Sequence, residues 1–545
     1  MEMHFATVWE AHADHFGDAT ALVHGDTRRS WAEYEDRAAR IAAAYVEAGL
    51  RPDSKLGLLM YNSNEYLEAQ YGAFKMRAVP INVNYRYLDV ELVYLLDNSD
   101  SEALVFHASL GERVARIVDR LPNLKLLIEV DDGNPGQVAN AVAYEEVIAG
   151  HDPMPRITRA EDDIYMLYTG GTTGMPKGVM YAMGGMTAGF VESGFPVFGL
   201  TPTRDPAEIS PLIKSTLIDT GSQPVSIPCA PLMHGTGLWL GGFIPHLAGG
   251  NVVTLKSRSL DADEVLSTLQ REKASAITIV GDAFAKPIIT AIDAAAAAGK
   301  PYDLSSLKMM ISSGVMWTAE VKEQILDRVE QAILIDAMGS TEGTMGISIS
   351  MKGLPPGTAK FTQAPTTKVF TDDDREVQPG SDEAGLVAAG GNVPLGYYKD
   401  DAKSAKTFRV IDGKRYAFPG DMAKVAADGS LILLGRGSQV INSAGEKIFP
   451  EEVEEAVKRV EGVEDCLVVG LDDEKFGQAV TAVASRHDDS EVDEATVIAS
   501  VKKDLAAFKA PKKVVFVAAV PRAPNGKADY KAARQLAVDA LVTGS

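Results

Sequence analysis

Over residues 5–160, helical patterns of apolar positions such as that of residues 30–48 alternate with short apolar runs such as 55–61 and 103–106, and this alternation predicts α/β layers. The same rhythm continues through an apolar run at 251–255, a helix at about 262–272, a run at 276–280, and a helix that ends in the alanine tract 294–299, where a glycine supplies the C-cap. Beyond Gly353 the texture changes. Short strands separated by Gly, Pro and Asp turns, over 368–380 and 385–393, predict a small β-rich subdomain. After Gly435-Arg436 a last unit of about a hundred residues begins, long enough for a separate α+β domain. It carries a strand-like 440–441, an acidic helix at 450–460 and apolar strands near 466–469 and 514–517. Residues 193–228, with several prolines and weak periodicity, read as a long connection that is either a lid or pocket element or surface decoration.

Composition narrows the picture. A chain of 545 residues exceeds one ordinary core, and the length suggests roughly three or four packing units. Hydrophobic residues at 46% and charged ones at 23% supply material for real cores and argue against disorder. The net charge of -22 repels a nucleic-acid backbone, and no basic patch offsets it, so nucleic acid is not an expected partner. Cys229 and Cys466 lie far apart in sequence, cannot form a disulfide framework or a multi-cysteine metal site, and are expected to be buried small residues. The N-terminus lacks a cationic segment followed by an apolar one, and no apolar run reaches the roughly 18 residues of a membrane span. A soluble, cytoplasmic protein without stable membrane insertion is the expectation.

The strongest chemical signal is the stretch from Tyr168 to Val179, Tyr-Thr-Gly-Gly-Thr-Thr-Gly-Met-Pro-Lys-Gly-Val. Gly170, Gly171 and Gly174 allow backbone N–H groups to approach a phosphate, the hydroxyls of Thr169, Thr172 and Thr173 add donors, and Lys177 adds a point charge. It is not a Walker A loop, because Pro176 precedes the lysine and Gly178 follows it. Taken alone it could also be a Gly-rich turn between a strand and a helix.

The stretch resembles the phosphate loop of the adenylate-forming superfamily, which includes acyl-CoA synthetases, luciferases and peptide-synthetase adenylation domains; Gly170 replaces the usual serine. Further matches follow in family order: Pro231-Leu232-Met233-His234-Gly235, Ser312-Ser313-Gly314, Met338-Gly339-Ser340-Thr341-Glu342, Pro419-Gly420-Asp421, Gly435-Arg436, the segment from Gly445 to Glu454, and the segment from Pro521 to Lys527. Together they span nearly the whole chain.

The resemblance implies an α/β fold with a large multi-layer N-terminal domain, residues 1–435, of two sheets flanked by helices. This domain would include a small β-barrel-like subdomain at about 353–435. A hinge at 436–439 would lead to a smaller, mobile α+β C-terminal lid domain, 440–545. It also implies roles. Joining a carboxylate to an α-phosphate brings two anions together, so the site must supply positive charge. Lys527 resembles the catalytic lysine that does so. Glu342 resembles the magnesium-binding glutamate, a hard oxygen donor suited to that ion, and Thr341 the α-phosphate donor. Asp421 and Arg436 resemble the ribose pair, while Ser313, Gly314, Gly339 and Ser340 match segments around the nucleotide. Met338 stands where relatives usually place a tyrosine on the adenine, and its sulfur can cover a ring face.

His234 matches the residue at the mouth of the acyl pocket, and the small residues Gly235, Gly314 and Gly339 leave room for a bulky acid. Pro419 replaces a usual threonine. Ser438 stands at the hinge position that many relatives fill with Asp or Lys, and a small polar residue there can still absorb a dihedral change. Gly445, Glu446 and Lys447 match the coenzyme A channel.

The implied activity is an ATP-dependent, AMP-forming acyl-CoA synthetase using Mg2+, with ATP, coenzyme A and a small-molecule carboxylic acid as partners. The loop at 170–174, Gly281-Asp282-Ala283-Phe284 and the segment 445–450 resemble the long-chain and steroid side-chain branch. A medium-chain or arylalkanoate ligase, or a non-catalytic acyl-adenylate-binding protein, stays open, as does homo-oligomer formation.

Overall fold

The helix predicted at 30–48 runs over Trp31–Glu47, and its start has a local cause: Ser30 accepts from the Glu33 amide while Glu33 reaches back to the Ser30 amide. Such a capping box satisfies two amides that the first turn leaves without partners. The helix at Ala262–Glu272 is capped in the same spirit by Asp261. In the alanine-rich helix Gly281–Ala297, the end is set by Gly299, whose φ of +70° favours glycine.

A computed structural model describes residues 2–134, 136, 138–169, 175–315, 317–354, 359–443, 446–473, 477–522 and 527–543. They divide into two compact units: one comprises Met1–Gly343, Ile349–Gly357 and Gly391–Ala417, the other Thr344–Ser348, Thr358–Gly390 and Phe418–Ser545.

The first unit is layered α/β. One sheet runs, in spatial order, Ile333–Ser340, Met309–Ser313, Ala276–Ile279, Val225–Pro228, Asn251–Thr254 and Thr20–His24, all parallel, with Thr27–Ser30 antiparallel at the edge. Its helices Ala262–Glu272, Gly281–Ala297 and Ala319–Arg328 close over a core that includes Val265, Leu269, Ile288, Ile325 and Leu334. A second, fully parallel sheet orders Val79–Asn82, Lys55–Leu59, Ser101–His107, Leu126–Val130 and Val142–Ala143. Parallel strands are buried on both faces, which is why these runs are apolar without alternation. Besides the two expected sheets there is a third, antiparallel one: Ile164–Thr169, Lys177–Ala182 and Gly396–Tyr397.

Residues 193–228 correct the expectation of a long connection. Asp205 caps a helix at Pro206–Ile213 with proline in its first turn, a π-helical turn follows at Lys214–Ile218, and Val225–Pro228 is a central strand. Ser210 is buried and bonded to His12 Nδ1 at 2.8 Å, and with Ile209 and Ile213 it packs one face of this helix into the core. Proline misled the reading because its place at a helix start suits its fixed φ and missing donor. Cys466 is buried, whereas Cys229 is half-buried; both are free thiols. No helix among the described residues is long and apolar enough to cross a membrane.

In the second unit, Lys368–Phe370, Gly385–Ala388, Asp421–Val425, Leu431–Arg436 and Lys360–Gln363 form an antiparallel sheet. A mixed sheet of Glu446–Ile448, Ile441–Ser443, Gly477–Arg486 and Val463–Asp473, with Lys513–Phe516 parallel to Gly477–Arg486, carries helices Pro450–Lys458, Glu494–Asp504 and Tyr530–Thr543.

Glu454 is buried in this core, where it accepts from the Val468 amide at 2.9 Å and the Tyr530 hydroxyl at 3.4 Å. Burial pushes its carboxyl from an ordinary 4.5 up to about 7, against the opposing pull of Lys458. A folded pKa above the unfolded one means that stability falls as pH rises from about 4.5 to 7. Glu454→Gln keeps an acceptor for Val468 and removes the charge. Hydrogen exchange at amides of Val463–Asp473, corrected for intrinsic pH dependence, should show that loss of protection between pH 5 and 8 in the parent and little of it in the variant.

Candidate active site

Six parallel neighbours lie side by side in the first unit, and ligands of such sheets bind beyond the carboxyl ends of the strands. Register brings the motifs to that edge. Pro228 lies opposite Thr278, Ile279 opposite Ser312, and Ser313 opposite Ala337, so the segments leading to His234, Ser313-Gly314 and Ser340-Thr341-Glu342 emerge along one rim. Ser313 Oγ donates to the Ala337 carbonyl at 2.8 Å, tying two of these strands together. Gly314 is exposed with φ of +94°, a conformation that favours glycine. Gly339 and Ser340 are half-buried at the end of their strand. Met338 is only 6% exposed and shares its strand face with buried Asp336, which is bonded to Lys322 at 2.9 Å.

Beyond the strand end, the amide of Glu342 donates to Ser340 Oγ at 3.1 Å, a short turn that presents Thr341 and Glu342. Tyr181 donates its hydroxyl to the Thr341 carbonyl at 2.9 Å, and Tyr397 donates to Glu342 Oε1 at 2.7 Å. Burial, then the Glu342 charge, raises both phenols well above their usual range, so they stay protonated donors.

The phosphate-loop hairpin stands beside them. Thr169 and Lys177 are paired directly across its two strands; Gly170, Gly171, Thr172, Thr173 and Gly174 lie outside the described residues. Lys177 is ion-paired with Asp400 Oδ2 at 2.8 Å and lies 5.6 Å from the centre of the Tyr397 ring. Asp400 is held by its own role as a helix N-cap, Oδ1 accepting from the Lys403 amide at 3.0 Å, and the Lys177 ammonium keeps its carboxyl below the ordinary range.

Two side-chain amides, of half-buried Asn62 and buried Asn82, fix the approach to His234. Asn62 bridges the carbonyls of Pro228 and Ala230 and accepts from the Leu232 amide at 2.7 Å; Asn82 donates to the Met233 and Tyr168 carbonyls and accepts from the Tyr168 amide. His234 is half-buried in a turn closed onto the Pro231 carbonyl, and a π-helix follows at Thr236–Phe243. Such helices are rare and recur at functional sites. A Cβ on Gly235 would stand 3.4 Å from Trp239 and 3.5 Å from Leu167, ordinary contact, so the space beside this glycine is bounded by an indole whose N–H is fixed on Tyr165 at 2.9 Å.

Tyr397, Asp400, Tyr181, Asn62 and Asn82 are absent from the motif reading. Only Gly396-Tyr397-Tyr398, an aromatic pair after a glycine, marked that stretch in sequence.

The remaining candidates lie in the second unit. Asp421 and Arg436 are Cα partners across adjacent strands. Ser438 falls in the 3-10 turn Gly437–Gln439. Glu446 and Lys447 pair with Ser443 and Asn442 in a hairpin; Gly445 lies outside the described residues. Lys527 is exposed beside an isolated bridge between Arg522 and Ala528, and Arg522 is anchored on Asp465 by bonds of 2.6–2.9 Å.

Among the described residues no group of three or more metal-ligating side chains occurs. Magnesium that arrives on nucleotide phosphates needs only one or two protein carboxylates. Glu342 fits that requirement, with Oε1 fixed by Tyr397 and no hydrogen bond on Oε2 among the described residues.

A model of the AMP-binding enzyme family matches residues 9–398, and one of the AMP-binding enzyme C-terminal domain matches 452–527. The 3-oxocholest-4-en-26-oate–CoA ligase of Rhodococcus rhodochrous is 38% identical, covering 98% of this chain and 96% of its own. The medium-chain acyl-CoA ligase Mig of Mycobacterium avium is also 38% identical, covering 96% of each. Among solved structures, ATP-bound MatB from Rhodopseudomonas palustris superposes with a TM-score of 0.81 at 22% identity, over 99% of this chain and 100% of its own. With a family model across most of its length and such relatives over nearly all of it, the chain belongs to the AMP-binding enzyme family, in the company of its acyl-CoA ligases.

Proposed function

We propose that this protein is an ATP-dependent, AMP-forming acyl-CoA synthetase acting on a hydrophobic carboxylic acid, with long-chain and steroid side-chain acids favoured. The observation that carries the reading is the shared rim, where His234, Ser313-Gly314 and the Thr341-Glu342 turn stand along one sheet edge and Tyr181 and Tyr397 tie that turn to the phosphate-loop hairpin. The substrate preference rests on the relatives that act on 3-oxocholest-4-en-26-oate and on medium-chain acids, and on the glycine facing Trp239.

In the first half-reaction a carboxylate oxygen attacks the α-phosphorus of ATP, and the bond to the bridging oxygen breaks to release pyrophosphate. Lys177 and the loop hydroxyls bind phosphate, Thr341 donates to the α-phosphate, and Lys527 offsets charge between the two anions. Glu342 would hold the magnesium that accompanies the phosphates, and the ion would supply charge neutralisation for the leaving group. Asp421 and Arg436 hold the ribose. In the second half-reaction the thiolate of coenzyme A attacks the acyl carbon and AMP leaves; Gly445, Glu446 and Lys447 line the thiol's approach, and Ser438 serves the hinge between the two conformations.

Pyrophosphate and AMP release with magnesium-ATP tests the reading, across acids from acetate to steroid side-chain acids, each with and without coenzyme A. Pyrophosphate should depend on the acid, and thioester should appear only with coenzyme A. ATP binding without pyrophosphate release from any acid would favour the non-catalytic adenylate-binding reading.

A further inference from the structure

Tyr397 joins two groups that approach the phosphates from different elements. Its strand, Gly396–Tyr397, pairs with the hairpin strand that begins at Lys177: Tyr397 lies opposite Val179 and Gly396 opposite Met180. From this place its hydroxyl reaches Glu342 Oε1 at 2.7 Å, while its ring centre lies 5.6 Å from the Lys177 ammonium. Tyr397 is 5% exposed and packs on Phe408 at 5.3 Å between ring centres, so its position is fixed from behind. Asp400, three residues on and itself locked as an N-cap, holds Lys177 on the other side.

The geometry points to Tyr397 as a positioning residue for the metal–phosphate end of the site: its hydroxyl fixes the Glu342 carboxylate with one oxygen left for the ion, and its ring holds the Lys177 ammonium. A carboxylate already fixed by a donor loses less freedom on ligating a cation, and such outer partners are worth about 10- to 100-fold in metal affinity. The hydroxyl therefore acts on the metal-dependent part of nucleotide affinity, and the ring on the metal-independent part.

This inference rests on the nucleotide-site reading above, and the two can fail separately. Calorimetric titration measures binding of magnesium-ATP, and of ATP in EDTA, to the full chain. In Tyr397→Phe the preference for magnesium-ATP over metal-free ATP should fall about tenfold, with metal-free binding unchanged. Tyr397→Leu should weaken metal-free binding as well. Tyr398→Phe, whose hydroxyl bonds to Asp100 instead, should retain parental values. Equal loss of both nucleotide forms in Tyr397→Phe, or an undiminished magnesium preference with an unchanged melting temperature, would overturn the inference. A parent chain that binds neither form would overturn the nucleotide-site reading itself.

Discussion

Lys527→Ala should lower acid-dependent pyrophosphate release by at least about 100- to 1,000-fold, the range found when one electrostatic donor is removed from a transition state. Thioester formation from a supplied acyl-adenylate should change little. The separation follows from where charge develops. In the first half-reaction a carboxylate and a phosphate approach each other, and a cation between them stabilises the transition state more than the separated reactants. In the second, a thiolate attacks an acyl group already neutralised by adenylation, and a lysine committed to the first has no part. Lys527 is exposed, and Arg522, five residues before it, is anchored on Asp465. Measuring each half-reaction separately, pyrophosphate exchange for one and AMP release from acyl-adenylate for the other, decides the matter. An equal fall in both would assign Lys527 to structure.

Lys75→Met should destabilise the first unit by about 3–5 kcal/mol, the cost of removing one member of a buried ionic cluster. Lys75 has a side-chain exposure of 1% and donates to Glu10 at 2.7 Å and Glu35 at 2.6 Å. Arg159, equally buried, holds Glu10 through both carboxylate oxygens at 2.6 and 2.8 Å. Burial works against the charge of Glu10, yet Arg159 and Lys75 bring its carboxyl below the ordinary value. Without Lys75, two carboxylates keep their desolvation cost and lose a shared cation. The exposed pair Lys399–Asp100, with side chains 43% and 45% exposed, is the contrast, and Lys399→Ala should cost less than about 1 kcal/mol. Urea denaturation followed by tryptophan fluorescence reports on this unit, since Trp9, Trp31, Trp239 and Trp317 all lie in it. A change below about 1 kcal/mol for Lys75→Met would mean that the cluster relaxes by admitting water.

Elements whose causes are local were legible in the residues alone. The apolar spacing and Ser30–Glu33 box specify the helix Trp31–Glu47, Asp261 starts the helix Ala262–Glu272, and Gly299 ends the alanine helix; each bond spans three or four residues. The family motifs were legible for the same reason, because each is a short, contiguous stretch of sequence. Partnership across the chain was not legible. Tyr397 meets Glu342 from 55 residues away, Asp400 meets Lys177 from 223, and Asn82 meets Met233 from 151. No periodicity or turn rule connects such positions. A tyrosine after a glycine, an asparagine at a strand end or an aspartate at a helix cap has a sufficient local explanation in each case. Only strand pairing and the shared edge of a parallel sheet converted those local residues into a common site, and only burial turned Glu10, Lys75 and Arg159 from scattered charges into one ionic cluster.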